Sequence, residues 1–185
     1  MVAVDRIDPN SRLARWGADR LRPKVIVATQ TRVIEAIVDR TGRCWPSTPA
    51  IALHPADPGA EPRLARWDAV DHDEVLWRLA AAVMAPHATA WALTMYPGAG
   101  LVAGAVKLSA RQVMAIPLPG ADGDAAWAEA AVELRDATGA ADRRDGERWL
   151  ASMRSFGRSM VTAHAGDGSA EVLEWWWSRM PPWRA

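Results

Sequence analysis

The sequence contains few residues that could form covalent or metal cross-links. Cys44 is the single cysteine among 185 residues, which excludes an internal disulfide and a cysteine-based structural zinc site. No base is paired with Cys44 in the sequence, so we expect a small buried side chain there. No stretch approaches the roughly 18 uncharged apolar residues of a membrane span, and the charged N-terminal residues do not resemble a signal peptide. We therefore expect a soluble cytoplasmic protein with no membrane partner.

The charged residues are balanced overall but unevenly distributed. Half of the residues are hydrophobic and 24% are charged, which is typical of a folded domain. Lysine plus arginine number 22, as do aspartate plus glutamate, so the net charge is zero. By segment, the net charge is +4 for residues 1–43, −3 for 44–80, +2 for 81–120 and −3 for 121–185. An anion-binding surface is therefore expected in the first and third segments.

The N-terminal part of the chain is predicted to contain strands. A short basic helix is expected over residues 11–22, ending before Pro23. Residues 24–28 and 32–39 are rich in β-branched side chains, which favours a hairpin or meander from 24 to about 53. The spacing of the apolar residues in 32–39 also fits one face of a helix, so periodicity alone leaves this second run ambiguous.

Helices are predicted for most of the remaining chain. Asp71 and Glu74 have the spacing of a capping box, as do Ser109 and Gln112. The first pair begins a helix that Pro86 interrupts, and a second helical stretch covers residues 88–95. Three further helices are expected over residues 124–135, 144–165 and 169–180. These patterns predict a mixed α/β fold of the α+β type, with a β-rich domain over residues 1–120 and a helical subdomain over 121–185.

The sequence shows no convincing catalytic constellation. The four histidines are scattered, and none has the spacing of a metal-ligand motif. The glycines of residues 98–104 miss the spacing of a dinucleotide-binding loop. Ser47 and His54 could serve a hydrolase, but no nucleophile elbow supports that alternative.

Eleven tryptophans stand against one tyrosine and one phenylalanine. Most have helical core spacings, so packing is the default role, although indole rings also stack on unpaired bases. Three of them are consecutive, at positions 175–177, and point in different directions from one helix. At least one of these three rings is expected to be exposed or to face a partner.

Two segments resemble a known family. Residues 22–39 read RPKVIVATQTRVIEAIVD, and residues 106–119 read VKLSARQVMAIPLP. They resemble the C-terminal target-recognition region of adenine-N6 DNA methyltransferases of restriction-modification systems, in which a PKV-V-ATQTR-EA-VD strand precedes a K-SAR motif that ends in LPLP. The resemblance covers about residues 16–180. The family's glycine-rich cofactor loop and its Asn/Asp-Pro-Pro-Tyr/Phe site are missing, since the one Pro-Pro pair here precedes Trp183.

The resemblance implies a DNA-binding surface, to which roles can be assigned by side-chain chemistry. Arg22, Lys24 and Lys107 suit phosphate contacts, although Lys24 could instead guard a strand edge. Gln30 and Arg32 suit base edges, because glutamine pairs with adenine and arginine with guanine. The remaining candidates are the helix-start amides at Ser109, which could bind a phosphate, together with Thr31, Arg111 and Gln112.

The implied function is recognition of double-stranded DNA, without catalysis by this chain alone. No cofactor is expected on the chain, and S-adenosylmethionine is expected only on a partner catalytic domain. A split subunit, a truncated remnant and a free-standing regulator all remain open. The alternative is a protein-interaction module that docks on a separate methyltransferase subunit through its Trp-rich C-terminal helix.

Overall fold

A computed structural model describes residues 8, 10–55, 70–100, 104–165 and 170–183. Within these ranges the fold is α+β, with the strands in the N-terminal part and the long helices in the C-terminal part, as predicted. The strands are β1 (Lys24–Ala28), β2 (Gln30–Thr31), β3 (Glu35–Asp39), β4 (Ala50–Leu53) and β5 (Val106–Lys107). The helices are α1 (Arg12–Ala18), α2 (His72–Met84), α3 (Pro86–Met95), α4 (Ala110–Val113), α5 (Asp124–Asp142), α6 (Gly146–Ala165) and α7 (Ala170–Arg179).

Three strands form an antiparallel sheet with β1 at its centre, between β3 and β4. Val25 and Val27 are fully buried, whereas Ile26 between them is only partly buried, which is the alternation of a sheet with one covered face. The antiparallel pairing of β1 with β3 confirms the hairpin of the predicted hairpin or meander over residues 24–53. The strands do not form a meander, because β4 pairs with the other edge of β1 and not with β3. The ambiguous second run is a strand from Glu35 onward. Ile34, just before it, is buried, and its N–H donates to Thr89 Oγ1 at 3.1 Å.

A second, two-stranded antiparallel sheet joins β2 to β5, which follows much later in the chain. The N–H of Leu108 donates to the carbonyl oxygen of Thr29 at 3.1 Å, which continues the pairing beyond the two strands. The N–H of Thr29 donates in turn to the carbonyl oxygen of Pro49 at 3.3 Å. Thr29 therefore connects the two sheets through its backbone.

The first long helix begins where the sequence predicts, but its capping differs. The carboxylate of Asp71 accepts a hydrogen bond from the Asp73 N–H at 3.2 Å. Glu74 does not complete the predicted capping box, because its carboxylate accepts hydrogen bonds from Arg78 at 2.8 and 2.9 Å. The capping box predicted at Ser109 is present.

The boundaries of the C-terminal helices match the predictions to within two residues, except at the end of α5. α5 continues to Asp142, seven residues past the predicted end at 135. It continues because Ala137 and Ala140 extend its buried stripe against α6. The predicted apolar stripe of α6 is confirmed, with Met153, Phe156 and Met160 fully or almost fully buried.

One hydrophobic core runs through the described residues. It includes Val25 and Val27 of the sheet, Leu76 of α2, and Trp127 and Trp176 of the C-terminal helices. The core therefore crosses position 120, where the sequence predicts a domain boundary, and the two parts share it. Among the described residues, no helix combines the length and the apolar character that a membrane crossing requires.

Candidate nucleic-acid interface

The β2–β5 pairing brings the two family-like segments together. Gln30 is the register partner of Lys107, and both side chains are exposed. Arg32 follows β2 and is exposed, and Arg111 is exposed on α4, which begins shortly after β5. We call these four residues the ladder face. Among the described residues, none of the three cations of the ladder face has a carboxylate partner.

Arg179 of α7 forms hydrogen bonds to the backbone of the two segments that carry the ladder face. Its Nε donates to the carbonyl oxygen of Arg32 at 3.2 Å, and its Nη2 donates to the carbonyl oxygen of Gly104. Its guanidinium carbon lies 5.0 Å from the centre of the Trp175 ring. No sequence pattern pointed to Arg179. Its position in the last turn of a helix is a common one for arginine, so the signal was weak.

Lys24 is not available to a ligand, so its predicted phosphate contact is wrong. Its side chain is 0% exposed, and its Nζ lies 2.6 Å from Asp39 Oδ2. Nζ also donates to the carbonyl oxygen of Arg22 at 3.1 Å. The cause is register, since Lys24 and Asp39 are direct partners in the β1–β3 pairing. The edge-guard alternative is wrong as well, because β1 is the central strand.

The contacts around the buried Lys24–Asp39 pair stabilise the ionised form of Asp39. Burial alone would raise the pKa of Asp39, but hydrogen bonds from Lys24 and the Cys44 N–H, and the Lys24 charge, outweigh burial and lower it to about 2. The Arg43 N–H and the Thr41 hydroxyl also donate to this carboxylate, both at 3.2 Å. Asp39 therefore remains ionised at neutral pH.

Two further candidates are engaged locally. The Ser109 hydroxyl accepts a hydrogen bond from the Gln112 N–H at 3.4 Å, and Gln112 Oε1 accepts one from the Ser109 N–H at 2.7 Å. The capping box occupies the N–H groups of Ser109 and Gln112, which argues against the phosphate site predicted at this helix start. The Thr31 hydroxyl donates to the carbonyl oxygen of Val33, which favours a structural role for this residue.

Arg22 lies apart from the ladder face. It precedes β1, whereas Gln30 follows β1 at the other end, so the length of the strand separates them. Arg22 Nε donates to His54 Nδ1 at 3.0 Å. The cationic candidates therefore do not form one shared patch, because Lys24 is internal and Arg22 belongs to a different surface.

Two further expectations concern single side chains. Trp176 is fully buried, whereas Trp175 and Trp177 are partly buried beside Arg179 and Arg154 respectively. None of the three consecutive rings is fully exposed, and the expectation that one of them faces a partner stays a prediction. The expectation that Cys44 is buried is wrong. Cys44 is exposed rather than buried, because it follows the turn whose N–H groups cap Asp39.

The described residues hold no group of three or more histidine, cysteine, aspartate or glutamate side chains that could bind a metal ion. Comparison of the chain with protein-family models, with curated proteins and with solved structures found no match in any of the three. The resemblance to methyltransferase target-recognition regions therefore remains a prediction from the residues themselves.

Proposed function

We propose that this protein recognises double-stranded DNA through the ladder face. The observation that carries the proposal is the β2–β5 pairing, which makes Gln30 and Lys107 direct neighbours although they lie far apart in the chain. A contact between the two family-like segments is what a shared binding surface requires.

The charge around the ladder face favours a polyanion. The segment 81–120 carries Lys107 and Arg111 and no acidic residue. Long cationic side chains without internal carboxylate partners remain free to bind phosphate oxygens, and release of counterions from DNA then favours binding. Lys24 shows the contrasting case in the same protein, because its charge is already neutralised by Asp39.

The roles of the four side chains differ by their chemistry. Lys107 and Arg111 suit phosphate contacts, which set position without reading sequence. Gln30 and Arg32 suit base edges in the major groove, which is about 12 Å wide and admits a two-stranded ribbon. In this arrangement Arg179 is a positioning residue, since its Nε donates to the carbonyl oxygen of Arg32.

The finer proposal concerns the biological setting. The motif resemblance supports a role in an adenine-N6 methylation or restriction system, in which a separate polypeptide would bind S-adenosylmethionine and transfer the methyl group. The docking alternative through the Trp-rich helix gains no support from α7, because Trp176 lies in the core.

Salt-dependent binding to a duplex tests the proposal. We expect affinity for a duplex of about 32 base pairs to fall linearly with the logarithm of salt concentration. The slope should correspond to about two phosphate contacts, one each from Lys107 and Arg111. Lys107→Ala should weaken binding to all duplexes alike and reduce the salt slope by about one. Arg32→Ala should reduce the preference among sequences. Fluorescence anisotropy of a labelled duplex measures these effects.

Arg158→Ala provides the matched control, because it removes one exposed positive charge from α6 in the helical part of the molecule. Its salt slope should equal that of the unmodified protein. Binding that is independent of salt, or equal losses from Lys107→Ala and Arg158→Ala, would contradict an interface on the ladder face.

A further inference from the structure

We infer that a second site, a cleft between α1 and the outer face of the three-stranded sheet, binds an unpaired nucleotide. The base would lie against Trp16 and Trp45, and the phosphate would bind Arg20 and Arg22. This site lies at the end of β1 opposite the ladder face. It is independent of the duplex-binding proposal, because it shares no residue with the ladder face.

The cleft has the size of a small-ligand site. Its volume is about 460 Å³, within the range of about 300–1,000 Å³ typical of such pockets. It is lined by Trp16, Asp19, Arg20, Arg22, Trp45, Pro46, Ala52 and His54. These residues come from α1 and the chain after it, from the loop after β3, and from β4 and its end, so the tertiary fold assembles the cleft.

Two tryptophans form one wall of the cleft. The centres of the Trp16 and Trp45 rings are 5.2 Å apart, with an angle of 54° between their planes. Trp16 is 43% exposed and Trp45 is 46% exposed, whereas every other tryptophan in the described residues is buried or partly buried. An indole face open to solvent in a concave site can stack on a base, and such stacking is tolerant of base identity.

Two arginines in the cleft can bind the phosphate group of a nucleotide. The guanidinium carbon of Arg20 lies 4.0 Å from the centre of the Trp16 ring, and its Nη1 donates to the carbonyl oxygen of Trp16 at 3.0 Å. Arg22 is exposed and uses one N–H to bond His54 Nδ1. A guanidinium has five N–H donors, so both arginines retain donors for a phosphate.

The charge balance in the cleft favours an anionic ligand. Burial lowers the pKa of His54, and the charges of Arg22 and Lys24 lower it further, so His54 is neutral and accepts the hydrogen bond from Arg22. Among the described residues that line the cleft, Asp19 is the single carboxylate. Two arginines against one aspartate leave this lining with a net positive charge.

The tryptophans and the arginines together indicate the chemical class of the ligand. A free inorganic phosphate would use the arginines and leave the indoles unused, whereas a neutral aromatic ligand would do the reverse. A base that carries a phosphate uses both. The base must be unpaired, because a base within a duplex is stacked on both sides by its neighbours. The nucleotide could be free or part of a single strand, and the two sources share the same chemistry.

Indole N–H signals in a ¹⁵N-correlated NMR spectrum of the full chain test this site. Trp16→Phe and Trp45→Phe identify the two signals among those of eleven tryptophans. We expect both signals to shift on addition of adenosine 5′-monophosphate if a free nucleotide suffices, or only with a short oligothymidylate if a strand is needed. Either result supports the inference. A blunt duplex should leave both signals unchanged.

Affinity measurements separate binding from folding. Trp45→Leu retains an apolar contact with Trp16 and should weaken binding of a labelled oligothymidylate about tenfold or more. Arg22→Gln should also weaken it, whereas the matched variant Arg43→Gln, which changes an exposed arginine outside the cleft lining, should not. Urea unfolding checks that all three variants are folded.

Failure of this inference and failure of the duplex proposal are distinguishable. If neither indole signal shifts with either probe, or if Trp45→Leu binds the oligothymidylate as tightly as the unmodified protein, the cleft is not a nucleotide site. Neither result affects the ladder face, for which Lys107→Ala and the duplex are the relevant variant and probe.

Discussion

Lys24 and Lys107 are the two lysines of this chain, and both lie in strands that pair with antiparallel neighbours. Lys24 faces Asp39 on β3 and is completely buried, whereas Lys107 faces Gln30 on β2 and is exposed. The same residue type is thus a structural ion in one sheet and, among the described residues, a cation without a carboxylate partner in the other. The difference shows that the residue opposite on the neighbouring strand decides what a strand lysine does.

The two sites also differ in how much the protein depends on them. A buried ion pair contributes little net stability compared with apolar residues, but removal of one partner leaves the other charge buried and uncompensated. Removal of an exposed lysine leaves no buried carboxylate without its counter-charge. Substitutions at the two sites should therefore have very different effects.

The largest expected effect comes from the same substitution made at each lysine. Lys24→Met leaves the Asp39 carboxylate buried without its counter-charge and should cost about 3 kcal/mol or more of unfolding free energy. Lys107→Met should change stability by no more than about 0.5 kcal/mol. Urea unfolding of both variants measures the difference, and equal losses would contradict the contrast between the two sites.

A double variant sharpens the same comparison. Lys24→Met combined with Asp39→Leu removes both charges, which should restore most of the stability. Full recovery is not expected, because the Cys44 N–H, which donates to Asp39 at 2.9 Å, loses its acceptor. A residual loss of about 1 kcal/mol is the expected value.

Acidification should have a smaller effect on the free energy of unfolding. Groups in the helices and in the sheet should respond at different pH values. Burial lowers the pKa of His164, with a further contribution from His87, whose ring stacks on it at 5.1 Å, so that the pKa falls from 6.5 to about 4. Between these values the unfolded chain binds a proton that the folded protein does not, so stability falls as pH decreases through this window. We expect a loss of about 2 kcal/mol, after allowing for solvent screening of a partly buried ring.

The sheet should respond to acid only later. The pKa of Asp39 is lowered from 3.8 to about 2, so its contribution is complete above pH 3.8 and is lost as pH falls towards 2. Unfolding free energies measured from pH 7 to 3 should therefore show the histidine effect first. His164→Leu should remove most of the slope between pH 6.5 and 4. A smaller slope should remain, because burial also lowers the pKa values of His54 and His87. An undiminished slope in this variant would assign the effect to groups other than His164.

The smallest effect is expected at an exposed ion pair. Arg40 Nε lies 2.5 Å from Asp73 Oδ1, and the Arg40 side chain is 59% exposed. Such pairs contribute about 0.2–1 kcal/mol, because water screens both charges. Arg40→Ala should cost about 0.5 kcal/mol at low salt and less at high salt. A loss as large as that of Lys24→Met would show that burial does not explain the contrast.

Local patterns predicted most of the secondary structure. The hairpin of β1 and β3, the helix that begins after Asp71 and ends before Pro86, and the apolar stripe of α6 all follow from periodicity and capping residues. The predicted end of α5 at residue 135 was wrong, because the buried alanines at 137 and 140 are weak indicators of a continuing helix in a single sequence. A short alanine stripe becomes informative only when the neighbouring helix is known.

The candidate site was only partly predictable. Gln30 and Lys107 were identified by the motif resemblance, and the structure makes them neighbours. The internal pairing of Lys24 was not predicted, because strand register across a turn cannot be read from composition. The contact between Trp16 and Trp45 was not predicted either, since it joins a helix to a loop nearly thirty residues later.

The amino-acid sequence by itself determined the order and type of the elements, because those depend on periodicity, capping and proline positions within a few residues. Only the tertiary structure decided which cations remain free. The charge of a lysine or arginine is available to a ligand only if no carboxylate reaches it, and that depends on strand register and on the burial of groups distant in the chain. Lys24 and Lys107 have the same side chain, but Lys24 pairs with Asp39 on its neighbouring strand and Lys107 pairs with Gln30.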